Sequence, residues 1–367
     1  ETKRAEKMKI LHVNAGNEFG GGLFHIQSLF RGMDTIDMEL LVFEEGPVAD
    51  MARKSGITVY ILSQQSRYDI RVLKKLRQLI QRNGYTVVHT HGPRANLFVS
   101  LIHRLIAAKW IMTVHSDPTL DFEHRGIKGK LFEQINLRTL KKPDHLIAVS
   151  KEIKSILMQN NVSASQVSVV HNGRAFSEDW KPAAKDTSIF RMLTVGRLEK
   201  VKGHRYLIEA LRQLDFSDWM LTICGSGEEE VELKALVNRS GLTEKVLFLG
   251  WIDSEEVSRQ FSKADVMILP SLSESFPLVA LEAGEKRLPV IASEVVDVKD
   301  MIPSEQYGWL VPKGNGTALK KAIEQAHHEW KTGRLEAVGK SFYAWSRQFT
   351  IEKQGNDDKD YTMNDDD

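Results

Sequence analysis

Three features of the 367-residue chain predict an α/β fold in two halves, each a doubly wound parallel sheet. Short apolar runs alternate with amphipathic stretches along the chain, the rhythm of βαβ units. The rhythm breaks at RAFSEDWKPAAKDTS, a polar stretch from Arg174 that contains Pro182 and has no period, and then resumes. At 42% hydrophobic content, a chain of this length is also too large for one ordinary core.

The elements follow in order. Met8 opens the first strand pattern, and the fold is read from there. ILHVN precedes the amphipathic FHIQSLFRGM, ELLVF precedes VADMARKSG, and TVVHT precedes RANLFVSLIHRLI. KWIMTV and KLFEQINLRTL, then HLIAVS and KEIKSILMQ, complete a first domain over residues 8–176, with a linker at 177–189. A second domain over 190–350 repeats the pattern with RMLTVGR, HRYLIEALRQL, WMLTIC, EVELKALVNR, KVLFLG, SEEVSRQFS, DVMILP, LVALEAGEK, PVIAS and TALKKAIEQAHHEW. Residues 351–367, ending NDDKDYTMNDDD, are acidic and poor in apolar side chains, so they are expected to be a solvated tail. Parallel sheets of this kind place ligand sites at the carboxyl ends of their strands.

Composition narrows the function classes. The single cysteine, Cys224, sits in the apolar run LTIC, which argues for a buried strand residue and a reducing compartment. No apolar run approaches the roughly 18 residues that cross a bilayer, and ETKRAEK lacks the core of a signal peptide, so the expected location is cytoplasmic. The net charge of +1 hides an asymmetry: residues 1–183 hold 26 Lys and Arg against 18 Asp and Glu, and the remainder 24 against 31. Much of the excess lies in RVLKKLRQLIQR and HRGIKGKLFEQINLRTLKK, which mix basic and apolar residues at helical spacing. These are either ordinary surface helices with snorkelling side chains or a face that touches an anionic membrane at its inner side. No aromatic interleaving accompanies the charge, so nucleic acid is not an expected partner.

The stretch SLSESFPLVALEAGEKRLPVIAS carries Glu274 and Glu282 around a Phe-Pro that marks a helix start. Pro277 is expected at the first helical position, with Glu274 in the loop before it and Glu282 inside the helix. Eight helical residues rise about 12 Å, so the carboxylates cannot grip one small group; they suit hydroxyls at opposite ends of an elongated, phosphate-centred ligand such as a nucleotide-sugar. Taken alone, the pair reads as an ordinary solvated or capping pair. In VGRLEKVKG, Arg197 and Lys202 follow a strand, and two cations so spaced can straddle a diphosphate. Gly20, Gly21 and Gly22 lie between the first strand and helix, where they form either a tight turn or a backbone approach to phosphate or sugar. Their spacing is not that of a dinucleotide fingerprint. His115 ends KWIMTV and, taken alone, reads as a hydrogen-bonded structural histidine. His25 is equally a packed core residue. In HTHGPRAN, His89 is expected to pack within the strand, while His91 and Arg94 are acceptor-side candidates by position.

The two motifs GRLEKVKG and SLSESFPLVALEAGE closely resemble those of retaining family 4 glycosyltransferases of the two-Rossmann-domain (GT-B) type, and the resemblance spans nearly the whole chain. It implies two Rossmann-like domains facing across a crevice, with acceptor bound by the first and nucleotide-sugar by the second. It assigns Glu274 to the sugar hydroxyls near the reacting carbon and Glu282 to the ribose hydroxyls. The amides of Phe276 and Leu278, with Arg197 and Lys202, take the diphosphate; Gly21 and Gly22 close over it, and His115 bonds the donor sugar. GSGEEE, from Gly225, resembles the glycine turn near the base. Many relatives have Gly where this chain has Pro277, and AGEKRLPVIAS is more charged than usual. The implied acceptor is a glycan or lipid-linked hydroxyl, in surface polysaccharide or glycolipid synthesis. The implied reaction is a front-face displacement without a protein nucleophile, metal or other cofactor. No Ser/His/Asp or Cys/His motif and no metal-ligand spacing stands out, and the adjacent His327 and His328 point to different helix faces. Two rivals remain: a nucleotide-sugar epimerase on the same architecture, and a catalytically silent subunit that binds a partner enzyme.

Overall fold

The computed structural model describes residues 8–17, 21–32, 36–64, 69–120, 126–177 and 188–363. Most of the expected linker and Gly20 lie outside these residues. The chain forms two compact units, Glu1–Gly173 with Phe349–Asp367, and Arg174–Gln348.

The first unit contains strands β1 (Lys9–Asn14), β2 (Asp37–Val42), β3 (Thr58–Ile61), β4 (Val87–His91), β5 (Lys109–Val114), β6 (His145–Ala148) and β7 (Val167–Val169). Its helices are α1 (Gly21–Gly32), α2 (Pro47–Lys54), α3 (Arg71–Asn83), α4 (Pro93–Ile102), α5 (Gly126–Thr139) and α6 (Lys151–Gln159). The strands make one parallel sheet in the order β3-β2-β1-β4-β5-β6-β7. Side chains alternate through it. Leu11, Val13, Val88, Trp110 and Met112 build one core, while Ile10, Leu40, Val42, Val87 and Ile111 pack with Ile26, Leu29 and Phe30 of α1 in another. Both faces are therefore covered, as a parallel sheet requires. On α3 the buried residues are Val72, Leu76 and Ile80, four apart, and Lys74, Lys75, Arg77 and Arg82 face solvent. Gly84, left-handed at φ 66°, ends that helix.

The second unit contains β8 (Phe190–Val195), β9 (Trp219–Cys224), β10 (Val246–Gly250), β11 (Val266–Leu269), β12 (Val290–Ser293) and β13 (Gly308–Val311). Its helices are α7 (His204–Leu211), α8 (Glu230–Arg239), α9 (Ser254–Lys263), α10 (Leu278–Glu285), α11 (Val298–Met301), α12 (Gly316–Lys331) and α13 (Leu335–Ser346). All strands run parallel in the order β10-β9-β8-β11-β12-β13. Polar caps set several starts: Asp253 Oδ1 accepts from Glu256 N at 2.8 Å before α9, and Asn315 Oδ1 from Ala318 N at 2.9 Å before α12. Cys224 is buried in β9, and burial pushes its thiol up to about 12. In both sheets the order reverses beside the unit's first strand, between β1 and β4 and between β8 and β11. These are the switch points where doubly wound folds bind ligands.

The expected solvated tail is corrected. Ile351–Met363 form a helix, α14, that returns to the first unit and packs on α1. Its buried positions are Ile351, Gln354, Gly355 and Asp358, one helical face. A Cβ on Gly355 would lie 2.7 Å from the Gly32 carbonyl oxygen, so glycine lets the two helices touch by their backbones. Among the described residues no helix is long and apolar enough to cross a membrane.

Candidate active site

Both switch points carry chemistry. In the second unit, the turn after β8 and the loop after β11 are tied by Leu272 N donating to Val201 O at 2.7 Å. Gly203, at φ +67°, stands where a Cβ would meet the Pro270 carbonyl oxygen at 2.1 Å, so this approach demands glycine. The result brings two separate motifs together: Lys202 Nζ donates to Glu274 Oε1 at 2.8 Å and to Oε2 at 2.9 Å. Ser271 Oγ adds a bond to Oε1 at 2.6 Å. The Glu274 side chain is only 9% exposed, so its charge is held by these two partners. Arg197 pairs with Glu199 at 2.7 Å but leaves 74% of its side chain in solvent.

The glycine turn after β9 closes the same edge. Gly225, at φ +141°, donates to Gly250 O at 2.8 Å, and a Cβ there would stand 1.8 Å from the Gly196 carbonyl oxygen. Leu198 N donates to Ser226 O, and Glu229 N to Leu198 O, both at 2.9 Å. Helix α10 starts at Leu278 with Pro277 at its N-cap, so the helix begins one residue later than the sequence predicts. Phe276 is buried, and Leu278 is the helix's first residue. Glu282 lies inside α10 and has a partner that the sequence did not reveal: Arg174 donates to Glu282 Oε1 at 3.1 Å and to Glu285 Oε2 at 2.8 Å. Burial raises the Glu282 carboxyl above its ordinary range, with Glu285 adding to the rise and Arg174 opposing it.

In the first unit, five imidazoles gather at the carboxyl edge of the sheet. His12 of β1 and His89 of β4 stand in register, and His91 follows on the same face. His12 Nδ1 meets His91 Nε2 at 3.0 Å, and His91 Nδ1 meets His115 Nε2 at 3.2 Å. His89 Nε2 bonds Thr113 Oγ1 at 2.7 Å, which agrees with a packed strand residue. His25 Nδ1 lies 2.6 Å from Asn172 Oδ1 and 3.1 Å from Gln354 Nε2 of α14, and its ring meets the edge of His115 at 4.8 Å. Burial lowers all five pKa values, His12 to about 3, His25 to about 4 and the others well below the usual range. The cluster is therefore neutral at pH 7. One ring nitrogen from each of His12, His89 and His91 also lies within 4.8 Å of the others, a convergence that no sequence spacing announced.

The expectation for His91 changes here. It is fully buried, with both ring nitrogens engaged, and cannot touch an acceptor directly. Arg94, near the start of α4, is ion-paired with Glu44 at 2.6 Å and bonded to Gln64. Gly21 and Gly22 open α1.

Comparison with known proteins matches both halves. Residues 19–175 fit Glycosyltransferase Family 4, and residues 176–340 fit Glycosyl transferases group 1. The chain belongs to the family 4 glycosyltransferases. This transferase is 25% identical over 338 residues to an uncharacterized glycosyltransferase of Methanocaldococcus jannaschii, covering 85% of this chain and 86% of that protein. It is 26% identical over 302 residues to the Escherichia coli UDP-Gal:alpha-D-GlcNAc-diphosphoundecaprenol alpha-1,3-galactosyltransferase, covering 76% of each. Among solved structures, Anabaena HepE in complex with UDP superposes at a TM-score of 0.79 with 19% identity, covering 96% of this chain and 99% of that one. HepE with UDP-glucose superposes at 0.77. The two Rossmann-like units are thus those of the GT-B fold.

Proposed function

We propose that this glycosyltransferase moves a sugar, with retention of configuration and without a metal, from a UDP- or GDP-sugar to a hydroxyl of a glycan or lipid-linked acceptor. The observation that carries the reading is the meeting of Lys202 with Glu274 beside Arg197 at the second unit's switch point. There Lys202 and Arg197 take the charge of the leaving diphosphate, and the amides of Phe276 and Leu278 add donors at the start of α10. Glu274 accepts from sugar hydroxyls near the reacting carbon, and Glu282, steadied by Arg174, accepts from the ribose hydroxyls. On the first unit, His115 bonds the donor sugar, while Gly21 and Gly22 approach the diphosphate by their backbone.

In the front-face displacement, the bond from the anomeric carbon to the phosphate oxygen breaks. The bond to the acceptor oxygen forms on the same face, and the acceptor proton passes to the departing phosphate oxygen. Catalysis then rests on orientation and charge neutralisation. The names of relatives support a UDP-sugar and a polyprenyl diphosphate acceptor: the E. coli enzyme is named for both, and HepE was solved with UDP and UDP-glucose. The exposed Lys74, Lys75, Arg77 and Arg82 on α3, next to an Ile70 that is 69% exposed, support recruitment to anionic lipid.

The deciding assay incubates the enzyme with UDP- and GDP-sugars and polyprenyl diphosphate-sugar acceptors in EDTA, and reads the product's anomeric proton coupling. The proposal expects transfer with the donor's anomer kept. An inverted product overturns the retaining mechanism, and nucleotide binding without transfer to any acceptor favours the silent subunit.

A further inference from the structure

The buried imidazoles of the first unit form a directed chain, not merely a cluster. His12, His91 and His115 are joined by two ring-to-ring contacts of 3.0 and 3.2 Å, and two nitrogens of this histidine chain are buried with no partner among the described residues: His12 Nε2 at one end and His115 Nδ1 at the other. Three neutral rings carry three N–H groups. Two of them fill the two contacts, so the third N–H stands at one end and a bare lone pair at the other. Both contacts must therefore point the same way.

Burial decides which way. An orphaned N–H in a dry interior is rarer than an orphaned acceptor. His12 is completely enclosed between Phe30 and His89, whereas His115, although its Nδ1 is covered, keeps part of its surface exposed just beyond β5. The N–H belongs at the less enclosed end, where a bound ligand can accept it. We infer that His12 and His91 are positioning residues that hold His115 in the tautomer with its proton on Nδ1, so that a hydrogen-bond donor faces the bound sugar. His89, stacked on His91 at 4.4 Å and fixed by Thr113, keeps the His91 ring in its plane. A donor of fixed polarity selects a hydroxyl or ring oxygen that can accept at that point. The assignment rests on the proposed role of His115 in sugar transfer, but its geometry does not.

The test is ring-nitrogen NMR of the full-length protein with 15N-labelled histidine, His115 being assigned by the signals lost in His115→Gln. The wild type should show one neutral His115 tautomer, protonated at Nδ1. His91→Phe, similar in size but without ring nitrogens, should shift His115 to a mixture of tautomers. It should also lower kcat about 10- to 100-fold with little change in donor KM, as losses of orienting partners do. His91→Asn, whose amide nitrogen replaces Nδ1, should restore the tautomer and most of kcat. A wild-type His115 protonated at Nε2 overturns the inference by itself, even if His91→Phe fails to fold. So does an unchanged His115 in a folded His91→Phe. A spectrum that changes on EDTA treatment, with one metal ion per chain, also overturns it and makes His12, His89 and His91 ligands instead. If the tautomer behaves as described but no sugar is transferred, the transferase reading fails and the histidine chain stands.

Discussion

Mild acid should unfold the first unit well before the second. Five histidines there, His12, His25, His89, His91 and His115, are buried neutral, with folded pKa values far below the 6.5 of an exposed imidazole. A lowered folded pKa means that the unfolded chain binds more protons, so stability is complete above about pH 6.5 and is lost as pH falls below it. At pH 5.5 each histidine that stays neutral in the fold costs about 1.4 kcal/mol, and five cost about 7 kcal/mol. Asp358 of α14 works in the opposite direction. Burial raises its carboxyl well above the ordinary range, so its penalty eases as pH falls and offsets one to two histidines. The net loss is about 5 kcal/mol, comparable to the whole stability of many domains. The second unit holds one such deeply buried imidazole, His204, lowered to about 4, among the described residues. Hydrogen exchange read by mass spectrometry separates the units. Between pH 7.5 and 5.5, after correction for intrinsic rates, β1, β4 and β5 should lose protection by several orders of magnitude while β8 and β9 lose little. Equal protection of the first unit at both values would refute this account of the cluster.

Other perturbations follow from the same contacts. Lys202→Ala removes a diphosphate cation and strands the buried Glu274 carboxylate, so transfer should fall at least 100-fold and stability by about 1–3 kcal/mol, read by initial rates and urea denaturation. Gly225→Ala places a methyl group 1.8 Å from the Gly196 carbonyl oxygen. It should cost more than about 2 kcal/mol and abolish nucleotide binding, by calorimetry of both properties. Gln354→Ala breaks the 2.6 Å bond from Gly173 N and the contact with His25, and should lower the first unit's stability by about 1–3 kcal/mol without changing nucleotide affinity.

Much of the fold was legible because strand and helix periods differ, and the apolar runs read between Ile10 and Ser293 each have the length of one element. Helix α14 escaped notice for a physical reason. Its buried face is Ile351, Gln354, Gly355 and Asp358, of which one is apolar, so hydropathy reads solvent where the structure has glycine packing and amide bonds. Arg197, Lys202, Glu274 and Glu282 were each visible as motif residues. That Lys202 reaches Glu274, 72 positions away, depends on β8 lying beside β11, which local sequence does not state. Arg174 was hidden among the last residues assigned to the first domain, where the rhythm breaks, 108 residues from Glu282. In the sequence, His25, His89, His91 and His115 read as separate residues, and His12 carries no signal of its own. Their convergence follows from the register of His12 with His89, a pairing between strands that are not neighbours in sequence.

The central claim is that the edge formed by Arg197, Lys202, Glu274 and Glu282 holds a nucleotide-sugar without a metal. The direct measurement is thermal stability of the wild type, Lys202→Ala and Glu282→Ala against UDP, GDP, ADP and their sugar conjugates in EDTA, since a ligand bound only by the folded state raises the midpoint. The account predicts a clear shift of the wild type with one base, and at least tenfold weaker binding in both variants. Equal affinity in all three proteins would contradict it.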